Sequence, residues 1–537
     1  MSDKFQGLER FIEHKLFPRI FFLLLLVILL IHNDHISLWE QDEAAYAGFA
    51  RRMISTGDWL IPDYPWSFIH RKTPLHFWNI AVSFLFFGES NFALRLSSVT
   101  SIWLVYFAIY RFGKTLFGEI EIRISLLVLA SSLFINSLAK VAVTDGTLLL
   151  FNTLAAFALI RQVQLGGSWK NGLLFWISFS LALLTKGPPV VIFIGFLTFL
   201  LLIFHPERLR LFQLHPWLFL PLALIPLFWW GRAAWIRDDG IFISWLLDWY
   251  VLKRINGSLF GQTAPFGAYF LLISVAFLPY LYWQPLMWRT VIREALRKNV
   301  QYLILLLWFV AAWFPFELSP SKLPAYTAAA HIPFALMLGK IIASVWNQNS
   351  GRNLLLWIQL SLQGLIILAL PAAVFYLQLS WLFKFTSSVF AAGLLVMLWR
   401  IIRSEGVHPQ RIILLNSCFI LFVWCIVYGQ IDPVKNTPES VGNFLRGRYS
   451  KVVIANSEGH PPGLFVYAER NIGPAKLMTN TDTLRQMADT ALNTAFILSE
   501  KQWEELRQNE KLKLDTTICG HFTDRKGKAC YFIASRK

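Results

Sequence analysis

Apolar runs of about 15–20 residues recur from Phe17 to Tyr428, each close to the length of helix that crosses a hydrocarbon core. Within a bilayer such a segment must satisfy its backbone hydrogen bonds internally, which selects helices. The chain has 537 residues, of which 56% are hydrophobic and only 15% charged, against about 25% charged in a soluble domain. Spans are expected at 17–32, 93–110, 123–139, 145–160, 172–185, 188–204, 215–231, 266–283, 301–316, 323–343, 354–378, 383–400 and 411–428. The fold class is therefore a polytopic α-helical membrane protein of thirteen spans, with residues 1–430 forming the membrane domain.

The formal net charge of +17 does not indicate a nucleic-acid partner, because the basic residues are scattered through short loops between apolar runs. One set of loops carries Arg111, Lys114 and Arg123; Arg161 and Lys170; Arg208 and Arg210; Arg289, Arg293, Arg297 and Lys298; Arg352; and Arg400, Arg403 and Arg411. Their regular alternation places them in the cytoplasm with the N-terminus, and an odd span count then puts the C-terminus outside. The first apolar run, Ile20 to Ile31, is followed by polar and acidic residues with no small-residue cleavage pattern, so it reads as a retained helix. The first outer loop, 33–92, holds broken apolar stretches such as Leu75 to Phe87 that suit helices lying along the membrane surface. The 23 tryptophans and 47 phenylalanines read as interface anchors and lipid-facing packing, which argues against a sugar-stacking site.

From about Ile431 the composition becomes mixed, and residues 431–537 are expected to form a small extracytoplasmic α/β domain. Strand-like runs (Lys451–Ala455, Leu464–Tyr467, Ala495–Leu498, Tyr531–Ala534) alternate there with helix-like ones (Asp482–Ala488, Gln502–Gln508). Cys418 and Cys425 read as small apolar residues, while Cys519 and Cys530 flank a charged turn and are candidates for a disulfide in an oxidising compartment. No cysteine spacing suggests a metal site.

Ionisable residues at the outer ends of the spans carry the functional signal, because charges at that depth are costly and mark sites. Asp42 and Glu43 follow the first span in Leu38-Trp-Glu-Gln-Asp-Glu-Ala-Ala-Tyr46, where an acidic pair also suits a helix start. Lys72 lies in Arg71-Lys-Thr-Pro-Leu, Asp145 in Val-Thr-Asp-Gly, and Lys186 in Thr-Lys-Gly-Pro-Pro. Arg254 closes Asp248-Trp-Tyr-Val-Leu-Lys-Arg, and Lys322 and Tyr326 lie in Ser319-Pro-Ser-Lys-Leu-Pro-Ala-Tyr. Cations with a tyrosine hydroxyl suit a phosphate or pyrophosphate group, and a carboxylate can orient or deprotonate an attacking hydroxyl. His70 and His76, on either side of Lys72, read as interfacial histidines rather than a metal pair. From the spans and cations alone, a transporter or flippase for a lipid-linked anion is an alternative.

The run Asp42-Glu-Ala-Ala-Tyr-Ala resembles the Asp-Glu-x-x-Tyr-Ala motif of GT-C glycosyltransferases. It is most similar to the branch holding the aminoarabinose transferase of lipid A and the bacterial protein mannosyltransferase-like enzymes. Ser55-Thr-Gly-Asp-Trp-Leu-Ile-Pro62, Lys72-Thr-Pro-Leu, Leu85-Phe-Phe-Gly88, Thr144-Asp-Gly, Thr185-Lys-Gly-Pro188 and Ser319–Tyr326 follow in that branch's order, so the resemblance covers about residues 37 to 335.

The resemblance implies the GT-C fold and an inverting hexosyl- or pentosyltransferase of the cell inner membrane, active on its outer face. The donor would be a polyprenyl-phosphate sugar, and the acceptor a lipid A-like lipid, a glycan or a protein. It implies a catalytic role for Asp42, with Glu43 and Asp145 as further acidic members. Donor phosphate would be held by Lys72, Arg254, Lys322 and Tyr326, with Lys186 and Arg71 as additional candidates. Arg71 stands where the aminoarabinose enzymes have Glu, Lys-Thr-Pro replaces a Lys-Pro pair, and no histidine occurs between His215 and His331. These departures speak against that enzyme's metal site and acceptor. No cofactor is expected, a divalent metal being left open.

Overall fold

The computed structural model describes residues 6–39, 41–253, 263–348, 351–376, 380–430, 437–455, 462–478, 483–484, 486–487, 493–499, 504, 515–524 and 527–535. The chain forms two compact units: one of residues 1–33, 72–76 and 95–430, the other of residues 34–71, 77–94 and 431–537.

The first unit is the membrane-spanning bundle. Among the described residues eight helices are long and apolar enough to cross a bilayer, and a ninth span forms if Ala268–Ala276 and Leu278–Leu296, bent by 100°, count together. Four of the thirteen expected spans fall on other elements. Phe17–Leu30 and Pro188–Phe204 have 14 and 17 residues, Trp169–Lys186 has 18, and the 123–139 run breaks into Glu119–Ala130 and Leu133–Ser137. Burial separates the centre of the bundle from its rim. Thr144–Leu165 and Pro324–Ser344 have 72% and 83% of their apolar windows inside the protein, whereas Pro216–Arg237 has 17% and faces lipid.

Small residues allow the inner helices to approach, since lipid tails offer no hydrophobic drive between them. A Cβ on Gly339 would lie 2.7 Å from the Cα of Ser125, so the His331–Ser344 and Glu119–Ala130 helices meet backbone to side chain there. The carboxyl end of Phe17–Leu30 is closed by the buried Lys140, whose ammonium donates to the carbonyls of Ile28 (2.7 Å), Leu29 (3.1 Å) and Ile31 (2.8 Å). These are the orphan acceptors of a helix end, and a cation there also complements the helix dipole. Asn33 donates to Leu29 O (3.0 Å) and Ala139 O (3.2 Å), fixing where the chain leaves the bundle. Cys418 and Cys425 are half-buried free thiols.

The second unit contains a five-stranded sheet of order β2-β1-β3-β5-β4, built from β1 (Lys451–Ala455), β2 (Lys476–Met478), β3 (Thr494–Ser499), β4 (Asp515–Asp524) and β5 (Gly527–Ser535). Strand β1 runs parallel to β2 and β3, and β5 runs antiparallel to β3 and β4. Three of the four strand-like runs lie on strands. The fourth, Leu464–Tyr467, is inside a helix, Pro462–Ile472, buried from Pro462 to Ala468. A short apolar run fits a buried strand or a buried helix equally, and Pro462 at the first turn starts the helix. In the β4–β5 register Cys519 stands opposite Phe532 and Cys530 opposite His521, so the two cysteines are not register partners. Most of the helix-like 482–488 and 502–508 runs lies outside the described residues.

The first outer loop shares this second unit. Its helix Asp42–Thr56 packs with Pro462–Ile472, Arg51 pairs with Glu469 at 3.2 Å, and Tyr64 donates to Glu469 at 2.8 Å. Tyr467 closes the same side by accepting from the backbone N–H of Leu38 at 2.9 Å.

Candidate functional site

At one end of the bundle three helix termini converge. Asp145 lies in the first turn of Thr144–Leu165, Lys186 ends Trp169–Lys186, and Tyr326 lies in the 3-10 turn Pro324–Ala330. A carboxylate in a first turn and a cation in a last turn each match the helix dipole, so local electrostatics favour both placements. Gly187 then takes φ +75, and Pro188 opens the next helix; the sharp reversal holds Lys186 at the tip.

The Lys186 ammonium is 2.6 Å from Asp145 Oδ1, and both side chains are only 11% exposed. It also lies 5.6 Å from the centre of the Tyr326 ring. A recess of about 20 Å3, enough for one water, is lined by Asp145, Lys186, Asn152 and Tyr326 among others.

His76 joins this cluster from the first loop. It is wholly buried, and its Nδ1 is 3.0 Å from the hydroxyl of Thr147, two residues beyond Asp145. Burial pushes its imidazole down to about 4, with Lys72 and Lys186 adding to the shift while the Ala142 carbonyl and Asp145 oppose it. Lys72, Asp145 and Lys186 are thus gathered around one neutral ring. His70 and His76, expected as interfacial histidines, are both buried inside the protein, at 8% and 0% exposure.

Lys322 belongs to a second pairing on the far side of Tyr326 in sequence. Its ammonium lies 3.3 Å from Glu317 Oε1, donates to the carbonyls of Glu317 and Ser319, and sits 5.1 Å from the centre of the Tyr269 ring. Glu317 is fully buried as a side chain and also accepts from Trp313 Nε1 (2.7 Å) and from the backbone N–H of Tyr269 (3.1 Å). Lys322 is therefore turned inward onto a carboxylate that the sequence reading passed over. The signal was present: Glu317 ends an apolar helix five residues before Lys322.

The second unit holds the acidic pair, and the two carboxylates have separate partners. Asp42 is 44% exposed and its Oδ1 lies 3.0 Å from His70 Nδ1, with the Tyr46 hydroxyl at 3.4 Å. Glu43 is fully buried and accepts from the backbone N–H of Trp39 at 2.8 Å, which ties down the turn into the helix. Gln41, between them and the loop, has φ +72, a conformation that costs a non-glycine residue about 1–3 kcal/mol. The Glu43 tether is one of the contacts that hold it. Arg71 binds Asp63 and lies 4.4 Å over the Phe68 ring, so its charge is engaged within this unit. Arg254 lies outside the described residues. Among the described residues no group of three or more His, Cys, Asp or Glu side chains is placed to hold a metal ion.

The helical bundle, with lysines and a carboxylate gathered at its helix ends in a chain that also carries a small α/β unit, agrees with the GT-C fold that the sequence resemblance implies. Residues 71–231, which include Lys72, Asp145 and Lys186, match the family model described as dolichyl-phosphate-mannose-protein mannosyltransferase. More particularly, the fold is that of ArnT. The crystal structure of ArnT from Cupriavidus metallidurans bound to undecaprenyl phosphate gives a TM-score of 0.73 at 16% identity, over 96% of this chain and 97% of that one. Its apo state gives 0.69 at 17% identity.

Two curated relatives carry sequence similarity as well. The undecaprenyl phosphate-alpha-4-amino-4-deoxy-L-arabinose arabinosyl transferase 2 of Proteus mirabilis is 26% identical over 315 residues, 56% of this chain and 55% of that protein. The corresponding transferase of Aeromonas hydrophila is 26% identical over 348 residues, 62% of this chain and 60% of that protein. The matched sequence thus spans a little over half the length of these relatives.

Proposed function

We propose that this protein is an inverting membrane glycosyltransferase that moves a sugar from a polyprenyl-phosphate donor to an acceptor at the outer face of the inner membrane. The observation that carries this reading is the convergence of Lys72 and Lys186 with Asp145 around the buried His76, inside the stretch that matches the mannosyltransferase model. Cations at helix ends, where a lipid-borne phosphate arrives from within the bilayer, suit an anionic headgroup. The curated relatives are named for an undecaprenyl-phosphate aminoarabinose donor, which supports that donor class here.

In the reaction the acceptor oxygen attacks the anomeric carbon, the bond from that carbon to the phosphate oxygen breaks, and polyprenyl phosphate leaves with the electron pair. Lys72 stabilises the charge that grows on the departing phosphate, with Lys322, Tyr326 and Arg254 as further phosphate-binding candidates. Lys186 is held by Asp145, so its role is to set the local field and the position of that carboxylate. Asp42 is the exposed acid of its pair and takes the proton of a hydroxyl acceptor, with His70 fixing its orientation. A phosphate acceptor needs no base, and Asp42 then positions it. Glu43 holds the turn that presents Asp42. The alternation of basic loops supports a cytoplasmic N-terminus, with transfer on the outer face.

The test uses purified protein in lipid vesicles with labelled undecaprenyl-phosphate sugars, the 4-amino-4-deoxy-L-arabinose donor first, comparing wild type with Asp42→Asn. Label reaching an acceptor or water with the wild type alone supports the assignment. Equal transfer by the Asn variant removes Asp42 from the chemistry, and a panel in which no donor binds removes the transferase reading.

A further inference from the structure

The bundle has a second cavity away from the polar cluster, and its chemistry is the opposite. It has a volume of about 340 Å3, within the roughly 300–1,000 Å3 of small-molecule sites. It is lined by Phe175, Phe179, Ile194, Phe199, Leu202 and Phe212 among others. The two lining side chains with polar hydrogens are already committed, Trp176 to Leu214 O at 2.8 Å and Thr198 to Ile194 O at 2.8 Å. The walls therefore offer hydrocarbon, which suits a hydrocarbon chain.

The place of the cavity in the bundle follows from the helices that build it. Phe175 and Phe179 precede Lys186 on the same helix, and Phe175 is eleven residues from it, about 16 Å along the axis at 1.5 Å per residue. The cavity thus lies toward the end where 161–171 and 205–215 form the connections. Those connections hold Arg161, Lys170, Arg208 and Arg210 against a single carboxylate, Glu207. Arg210 pairs with Glu207 at 3.3 Å and donates to Val163 O at 3.0 Å, which pins the turn Arg208–Leu214 over the cavity. Among the described residues neither Lys170 nor Arg208 pairs with a carboxylate. Trp169 and Trp217, 75% and 67% exposed, stand at the same level as interface anchors.

An apolar cavity open beside Phe199 and Phe212, with cations in the connections next to it in sequence and tryptophans beside them, matches a two-part amphiphile whose head is anionic. We propose that this cavity is a binding site for an anionic glycerophospholipid, with an acyl chain between Phe175, Phe199 and Phe212 and the headgroup on Lys170 and Arg208. The site is separate from the Lys72–Lys186 cluster and does not depend on the transferase reading. Gly195 is one of its lining residues, and a Cβ there would enter open space, meeting nothing within 4 Å.

The full-length protein is placed in phosphatidylcholine nanodiscs with a trace of phosphatidylglycerol or phosphatidylcholine bearing the same photoactivatable acyl chain, and adducts are mapped by mass spectrometry. Peptides containing Phe199 and Phe212 should carry about fivefold more phosphatidylglycerol adduct than phosphatidylcholine adduct, as expected from one or two surface cations. Gly195→Leu should remove these adducts, and Lys170→Gln with Arg208→Gln should bring the two probes level without touching the cavity. Equal labelling of wild type by both probes overturns the proposal, as does labelling that survives in a monodisperse Gly195→Leu protein. Displacement of the label by undecaprenyl phosphate would also overturn it, by assigning the cavity to a prenyl chain.

Discussion

The ammonium of Lys186 and the carboxylate of Asp145 meet at 2.6 Å across two helix ends, each side chain only 11% exposed. Removing one partner leaves the other charge buried, whereas removing both does not. Asp145→Asn and Lys186→Met are each expected to lower stability by about 3 kcal/mol, and the double variant by clearly less than the sum. Thermal unfolding of the four proteins in detergent measures the coupling.

Asp42 and His70 lie 3.0 Å apart, with Asp42 the more exposed of the two. Asp42→Asn should reduce transfer by roughly 100-fold or more at an unchanged unfolding midpoint. His70→Ala should lower kcat by about tenfold while leaving the donor KM in place, because it alters the orientation of the acid and not donor binding. Steady-state kinetics on both variants separate these outcomes.

Lys72 is proposed to hold donor phosphate, so its loss should appear first in donor affinity. Lys72→Ala should raise the donor KM about tenfold or more, and Lys72→Arg should recover part of it through the retained charge. A Lys72→Ala protein that binds undecaprenyl phosphate as tightly as wild type would remove this role.

Burial holds His76 near 4, below the 6.5 of an exposed imidazole. Between those values the unfolded chain takes the proton and the folded chain does not. Stability is therefore intact above about 6.5 and falls as pH drops toward 4, by roughly 2 kcal/mol at pH 5. His76→Gln keeps a hydrogen-bonding group opposite Thr147 without the titration, and its unfolding midpoint should depend less on pH over that interval.

The Glu43 carboxylate accepts the Trp39 N–H in a fully buried position. Glu43→Ala leaves that amide without its acceptor and should cost about 1–3 kcal/mol, with activity falling through the strained turn at Gln41. Glu43→Gln retains an acceptor oxygen and should recover most of the stability, which a purely catalytic role for Glu43 would not give.

Much of this architecture was legible from hydropathy and from local motifs. Apolar run length identified the helices, and the alternation after Ile431 located three strands of the sheet. Asp145 and Lys186 stood out because charge at span ends is costly for reasons that act on each residue separately, and Tyr326 through its place in the run Ser319–Tyr326 with Lys322. What escaped were pairings. The apolar run Leu464–Tyr467 fits a buried strand or a buried helix equally, Pro462 being the one local cue to a helix start, and the helix Pro462–Ile472 packs against the sheet and the first-loop helix. The same holds for chemistry. Sequence grouped Glu43 with Asp42 in one acidic pair, whereas the fold buries Glu43 under the Trp39 amide and sets Asp42 beside His70. Lys322 stood out by itself as a phosphate candidate, and the fold adds its pairing with Glu317, which sequence did not give. Local composition determined that this chain lies in a membrane and where its charges fall along each helix. Which charge is spent on structure and which is left for a substrate depends on contacts between residues distant in sequence, and only the tertiary structure decides those.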